Sequence, residues 1–246
     1  MIGPYKEFVE QADTASEQIR EAVARGQKFL VCYHFDADGI AAAGILSKTL
    51  YRNKVSFQLR VLRQLDEQTI DFLSKSVAEI LVFADIGSGY LELLRDMTKS
   101  KSIFILDHHQ INGEGIDRLT HVNPHLSGID GGKEISGAGV SYIVAKAVDQ
   151  QNVDLSPLAV VGSVGDMQDK NEKRTLQGLN SPIVNDAVQA GLLKVETDLL
   201  IYGRETRPIH KALAYTTNPF IPGISGEEDQ SLAFLMDLGI KPKEGD

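Results

Sequence analysis

A chain of 246 residues with 42% hydrophobic content is long enough to bury one substantial core and a small second domain. Its net charge of -9 argues against general electrostatic attraction to nucleic acid, so an anionic ligand needs a local site. A single cysteine, Cys32, excludes an internal disulfide and a paired-cysteine metal site, and no run approaches the roughly 18 apolar residues of a membrane span. The amino terminus, Met1 to Arg25, is polar and acidic rather than a signal peptide, so the default location is cytoplasmic.

In chain order, short apolar runs alternate with amphipathic stretches, the pattern of βα units. It predicts an α/β fold, a five-stranded parallel sheet flanked by helices, followed by a helical segment and a linker-like tail. The strands are expected at Lys28 to His34, Val55 to Leu62, Glu79 to Asp85, Ser102 to Asp107 and Leu119 to Asn123. Helices are expected between them, at Gly39 to Arg52, Asp66 to Ser76 and Gly89 to Thr98. A Gly-, Asn-, His- and Asp-rich stretch, Asn112 to Ile135, reads as a long loop holding the short fifth strand. Further helices follow at Gly139 to Gln150, Leu155 to Gly165 and Pro182 to Gly191, the last capped by Ser181. The tail from about Gly203 carries several Pro and Gly residues and one late helix, Gln230 to Leu238.

Chemistry collects where strands end. The first strand runs into His34-Phe35-Asp36-Ala37-Asp38-Gly39, the third into Asp85, and the fourth into Asp107-His108-His109. Asp166 follows the helical run Ala159 to Gly165. Parallel strands put these carboxyl ends on one edge of the sheet, where open α/β folds bind ligands. Carboxylates and imidazoles without a thiolate suit Mn²⁺ or Mg²⁺ and admit Zn²⁺ or Co²⁺. Residues alternate along an extended segment, so Asp36 and Asp38 point to two neighbouring ions rather than one. Four aspartates balance two divalent cations and leave a site ready for a phosphate.

Taken alone, Asp38-Gly39 would be a helix start, and Asp85 before Gly87-Ser88-Gly89 would be turn chemistry. His121 and His125 read as surface or turn residues. Ser136 to Gly139 could approach a phosphate through backbone amides at a helix start. Arg204, Arg207, His210 and Lys211 form a basic cluster in an acidic chain. Glu134 after Gly132-Lys133 and the missing upstream Gly exclude a P-loop, and neither a GxSxG elbow nor an HExxH pair occurs.

The ordered motifs HxDxDG, strand-end Asp, DHH and GDxQD, over Cys32 to Asp169, resemble the DHH phosphoesterase superfamily. Ser136-Gly137-Ala138-Gly139-Val140 and Gly165-Asp166-Met167-Gln168-Asp169 look most like archaeal RecJ-type nucleases. The resemblance implies a DHH catalytic domain over 1–200, and a linker-like tail over 201–246 leading toward a DHH-associated domain that the chain lacks. It implies two ions of Mn²⁺ or Mg²⁺. His34 and Asp36 would hold the first, Asp38, His108 and Asp166 the second, and Asp85 both. His109 would face the scissile phosphate and Asp107 would orient the imidazoles. Ser136, Gly137, Ala138, Gly139, Arg204 and Arg207 would contact phosphate or substrate. The implied activity is exonucleolytic hydrolysis of single-stranded DNA, or RNA, to mononucleotides in DNA repair or replication. The alternatives are a phosphodiesterase for short oligonucleotides or cyclic dinucleotides, and a replication scaffold associated with GINS and the replicative helicase.

Overall fold

In the computed structural model, residues 3–240 are described, and they form two compact units that divide between Lys194 and Val195. The first unit is built on five parallel strands: β1 Phe29–His34, β2 Phe57–Leu62, β3 Ile80–Ala84, β4 Ser102–Leu106 and β5 Leu119–Val122. Their order across the sheet is β2-β1-β3-β4-β5, so the chain leaves β1 to one side for β2 and returns to its other side for β3. That reversal opens a crevice at the carboxyl ends of β1 and β3, the place where such sheets bind ligands.

The central strands β1, β3 and β4 are largely apolar runs because both faces are covered, whereas the edge strand β2 carries exposed Gln58 and Arg60. On one face, Phe29, Val31, Val82 and Phe104 pack against helices α1 Pro4–Ala24, α2 Ala37–Arg52, α5 Gly137–Val148 and α6 Ser156–Gly165. On the other, Leu30, Cys32, Phe83 and Ile105 meet α3 Glu67–Ser74 and the single turn α4 Leu91–Leu94. Burial pushes the Cys32 thiol up to about 12, which makes it an inert core group.

The structure differs locally from the sequence expectation in four places. Helix α1 is long, although the first 25 residues read only as polar. Its buried residues Phe8, Ala12, Ala15, Ile19 and Ala22 recur every three or four positions, but three are alanines and the stripe is faint. The helix expected over Gly89 to Thr98 breaks into 3₁₀ turns around α4. Helix α7, Asn180–Gln189, begins two residues before the expected Pro182, with Leu179 rather than Ser181 at its cap position. The tail, expected as linker-like with one helix, forms a compact unit with two, α8 Ile209–Tyr215 and α9 Glu228–Asp237. Ala214 at the end of α8 accepts the Gly226 N–H at 2.7 Å, which ties the two helices together. Among the described residues, no helix is long and apolar enough to cross a membrane.

Candidate metal centre

The residues at the strand ends converge. Asp36 caps α2, its Oδ1 accepting from Gly39 N at 3.0 Å, and its Oδ2 lies 2.8 Å from His34 Nδ1. Asp38 belongs to the first turn of α2, where it is buried. The separation of Asp36 from Asp38 therefore comes from the start of a helix and not from alternation along an extended segment, as the sequence reading assumed. Asp85 follows β3 with φ +59°, a left-handed conformation rare for a residue with a Cβ. Such strain persists where the surroundings fix it, and it gathers at functional sites.

Three groups of side chains could each hold a cation: His34, Asp36 and Asp85; Asp38, His108 and Asp166; and Asp85, His108 and His109. Asp85 is common to the first and the third. Its Oδ1 lies 3.2 Å from His108 Nε2 and its Oδ2 lies 3.7 Å from His34 Nδ1. His108 Nε2 is also 3.6 Å from Asp38 Oδ2. None of these approaches has hydrogen-bond alignment. Both Asp85 oxygens, His34 Nδ1 and His108 Nε2 are buried without a hydrogen-bond partner. Such atoms cost free energy unless a ligand answers them, and oxygen and imidazole nitrogen together suit a divalent cation. The donor set fits the ion the resemblance implies.

Electrostatics show the same demand. Burial, then repulsion from Asp85, pushes the Asp38 carboxyl up. Burial also opposes charge on Asp85, but His108 and His34 beside it outweigh that and hold its carboxyl below the ordinary range. For His108, burial disfavours the imidazolium, yet Asp85 and Asp38 overcome it and raise the pKa to about 10. Without a metal, a proton on His108 is the cation of this cluster.

The two adjacent histidines are held differently. His108 Nδ1 lies 2.7 Å from the Gly131 carbonyl. A carbonyl only accepts, so Nδ1 donates there in the neutral ring and the Nε2 lone pair faces the carboxylates. His109 Nδ1 is instead 2.8 Å from Asp107 Oδ1, with the ring half exposed. Asp107 is fully buried and also accepts from the backbone of Ser88 at 2.9 Å and of His108 at 2.8 Å. Burial opposes its charge, but His109 and these donors hold its carboxyl far below the ordinary range. Asp107 thus orients one imidazole ring, that of His109, whereas sequence reasoning gave it both. A cavity of about 510 Å³ opens beside His109, lined by His34, Arg63, Tyr90 and Gln110 among others.

The segment Ser136 to Gly139 was expected to meet substrate phosphate. In the structure it caps and begins α5 in a buried position, and its amides already hold an anion. Gly137 N donates to Asp38 Oδ2 at 2.7 Å and Ala138 N to Oδ1 at 2.9 Å, while Gly139 N donates to Ser136 Oγ at 3.2 Å. The helix start therefore fixes Asp38, a favourable place for a carboxylate, and leaves none of these amides for substrate.

Gly137 has a second role that residue type alone does not reveal. A Cβ there would lie 2.5 Å from Asp85 Oδ1 and 2.6 Å from Asp85 Cβ. Gly137→Ala is expected to displace Asp85, weaken cation binding and destabilise the fold by about 1–3 kcal/mol, the usual range for overpacking. A thermal melt and a Mn²⁺ titration check this, and an unchanged pair of values would refute it.

His121 and His125 lie outside these groups. His121 Nε2 meets Ser88 Oγ at 2.8 Å, and burial lowers its pKa. Arg204 and Arg207 belong to the second unit. There Arg204 pairs with Asp198 and Glu205, and Arg207 sits 5.0 Å from the ring centres of both Tyr202 and Tyr215.

Comparisons with known proteins bear on the fold and the family. The DHH family, N-terminal domain, matches residues 28–162, and the DHH-CID domain matches residues 201–246. The uncharacterized protein MJ0831 of Methanocaldococcus jannaschii is 35% identical over 97% of this chain, which spans 54% of that protein. The single-stranded-DNA-specific exonuclease RecJ of Bacillus subtilis is 22% identical over 66% of this chain and 22% of its own length. The chain thus spans about half, or less, of the curated relatives it matches. Among solved structures, RecJ from Thermus thermophilus in complex with Mn²⁺ superposes with a TM-score of 0.60 at 18% identity, covering 93% of this chain and 33% of that one. CDC45 from Entamoeba histolytica gives a TM-score of 0.63 at 13% identity, over 93% of this chain and 51% of that one. A family match across more than half of the sequence, on a five-stranded parallel sheet with acidic and imidazole groups at its switch point, shows that the chain belongs to the DHH phosphoesterase superfamily as a RecJ-like member.

Proposed function

We propose that the chain is a two-metal phosphodiesterase, an exonuclease that hydrolyses single-stranded DNA, with RNA as a further substrate, to mononucleotides in repair or replication. The observation that carries this reading is Asp85, buried and without a hydrogen-bond partner, whose two oxygens face separate groups of ligands. His34 and Asp36 complete one group, and Asp38, His108 and Asp166 form the other. Two ions of Mn²⁺ or Mg²⁺ held there would supply a hydroxide at neutral pH and offset the phosphate charge. The chain's own residues do the rest. The Gly137 and Ala138 amides keep Asp38 in place, and the Gly131 carbonyl keeps His108 Nε2 turned inward. Asp107, with burial opposing, raises the His109 pKa, so the exposed ring edge presents an N–H to a non-bridging phosphate oxygen or to the leaving oxygen.

The substrate preference follows the Bacillus subtilis relative, a single-stranded-DNA-specific exonuclease, and association with GINS and the replicative helicase is a further part of the reading that the family resemblance implies. Incubation with end-labelled single-stranded DNA, RNA and a dinucleotide, with Mn²⁺ or chelator, tests it. The expected result is stepwise loss of mononucleotides from the single strand, only with metal. Cleavage confined to the dinucleotide would favour the short-oligonucleotide alternative. Inactivity on all three, with GINS captured, would replace the enzyme by the scaffold.

A further inference from the structure

Behind the ligands lies a side chain that reaches two of the three members of one group. Gln168 is buried, two residues past Asp166, at the end of α6. Met167 between them has φ +58°, and the turn closes with Gln168 N donating to Ser163 O at 3.0 Å and Met167 N to Val164 O at 2.9 Å. This is the usual helix-ending motif, with methionine where glycine is favoured. Its effect is to turn Asp166 toward the cluster and fold the Gln168 amide back beneath it.

There Gln168 Nε2 donates to Asp166 Oδ2 at 2.8 Å and to the Gly131 carbonyl at 2.9 Å. The same carbonyl holds His108 Nδ1 at 2.7 Å. One amide therefore fixes Asp166 directly and His108 through a shared acceptor. The amide is itself oriented, because Oε1 accepts from Asn180 Nδ2 at 2.7 Å and Asn180 Oδ1 accepts from Ser163 Oγ at 2.8 Å. Asn180 leaves Gln168 one sense of rotation, with Nε2 toward the ligands. In contrast, His34 and Asp36 share no partner with Gln168.

We propose that Gln168 is a positioning residue for the cation held by Asp38, His108 and Asp166, and has no comparable effect on the cation held by His34 and Asp36. The assignment rests on the two-ion reading above. Removing a partner that orients metal ligands typically lowers affinity by about 10–100-fold. Gln168→Glu keeps the shape but sets a carboxylate against Asp166 and a carbonyl, and Gln168→Met keeps the volume without either donor.

The experiment is Mn²⁺ titration by calorimetry and electron paramagnetic resonance on wild type, Gln168→Glu, Gln168→Met and Asp166→Asn, with circular dichroism in chelator to confirm the fold. The expected result is two ions in wild type. In both Gln168 variants one ion should weaken about 10–100-fold, in parallel with Asp166→Asn, while the other keeps its affinity. High Mn²⁺ should refill the weakened site. Gln168→Met decides the matter where Gln168→Glu does not fold. Unchanged binding of both ions overturns the proposal, and so does equal weakening of both, the sign of a merely structural residue. A wild type that binds one ion refutes the two-ion reading instead. In that case a weakened ion in Gln168→Met keeps the assignment and an unchanged one ends it.

Discussion

Asp85→Asn should lower Mn²⁺-dependent hydrolysis by at least about 10³-fold while the protein stays folded. A single preorganised electrostatic group commonly contributes about 10²–10³-fold, and Asp85 faces two groups of ligands rather than one. Asparagine removes the charge and keeps the size. It also tolerates the left-handed backbone at φ +59°, where alanine would add a conformational cost of about 1–2 kcal/mol. Loss of activity in the asparagine variant is therefore a statement about the site and not about the fold. His109→Ala should cost less, about 10²-fold, because that ring is half exposed and in the proposed reading faces the substrate phosphate. Steady-state rates on single-stranded DNA and melting temperatures in chelator measure both effects. Near-normal turnover in Asp85→Asn would end the shared-ligand assignment.

Much of this fold was legible because parallel strands buried on both faces write themselves as unbroken apolar runs, such as Ile80 to Ala84. The candidate ligands were legible for a related reason: an aspartate or histidine directly after such a run has few structural uses. What stayed hidden depends on distance in the chain. The Ser136 to Gly139 segment looked like a phosphate cradle, since a helix start attracts anions, but its anion is Asp38, about a hundred positions earlier. Gly137 reads as a flexible residue until the position of Asp85 is known. Gln168 stood inside a quoted motif, yet its role needs Gly131 and Asn180, which no local spacing connects to it. Asp36 and Asp38 fall in different candidate groups, but not through the alternation argued for them, since local pattern could not tell an extended segment from the first turn of α2.

Metal affinity should rise steeply with pH, by about tenfold per pH unit for each proton displaced. In the metal-free chain the Asp38 carboxyl is raised by burial and by Asp85, and the His108 imidazolium persists to about 10 through its neighbouring carboxylates. A divalent cation needs both groups deprotonated, so it must displace what the cluster has bound. The sign for stability follows from the same shifts. His108 titrates higher folded than its ordinary 6.5, so its contribution is complete below that value and is lost as pH rises through about 10. Asp38, also raised, loses its contribution in the same direction. In chelator the melting temperature should therefore fall between about pH 6.5 and 10, whereas with saturating Mn²⁺ the fall should be much smaller, because the cation replaces the proton among the same carboxylates. Calorimetry in two buffers of different ionisation enthalpy reads the protons released on binding. Affinity that stayed flat from pH 6.5 to pH 9 would show that Mn²⁺ binds away from Asp38 and His108.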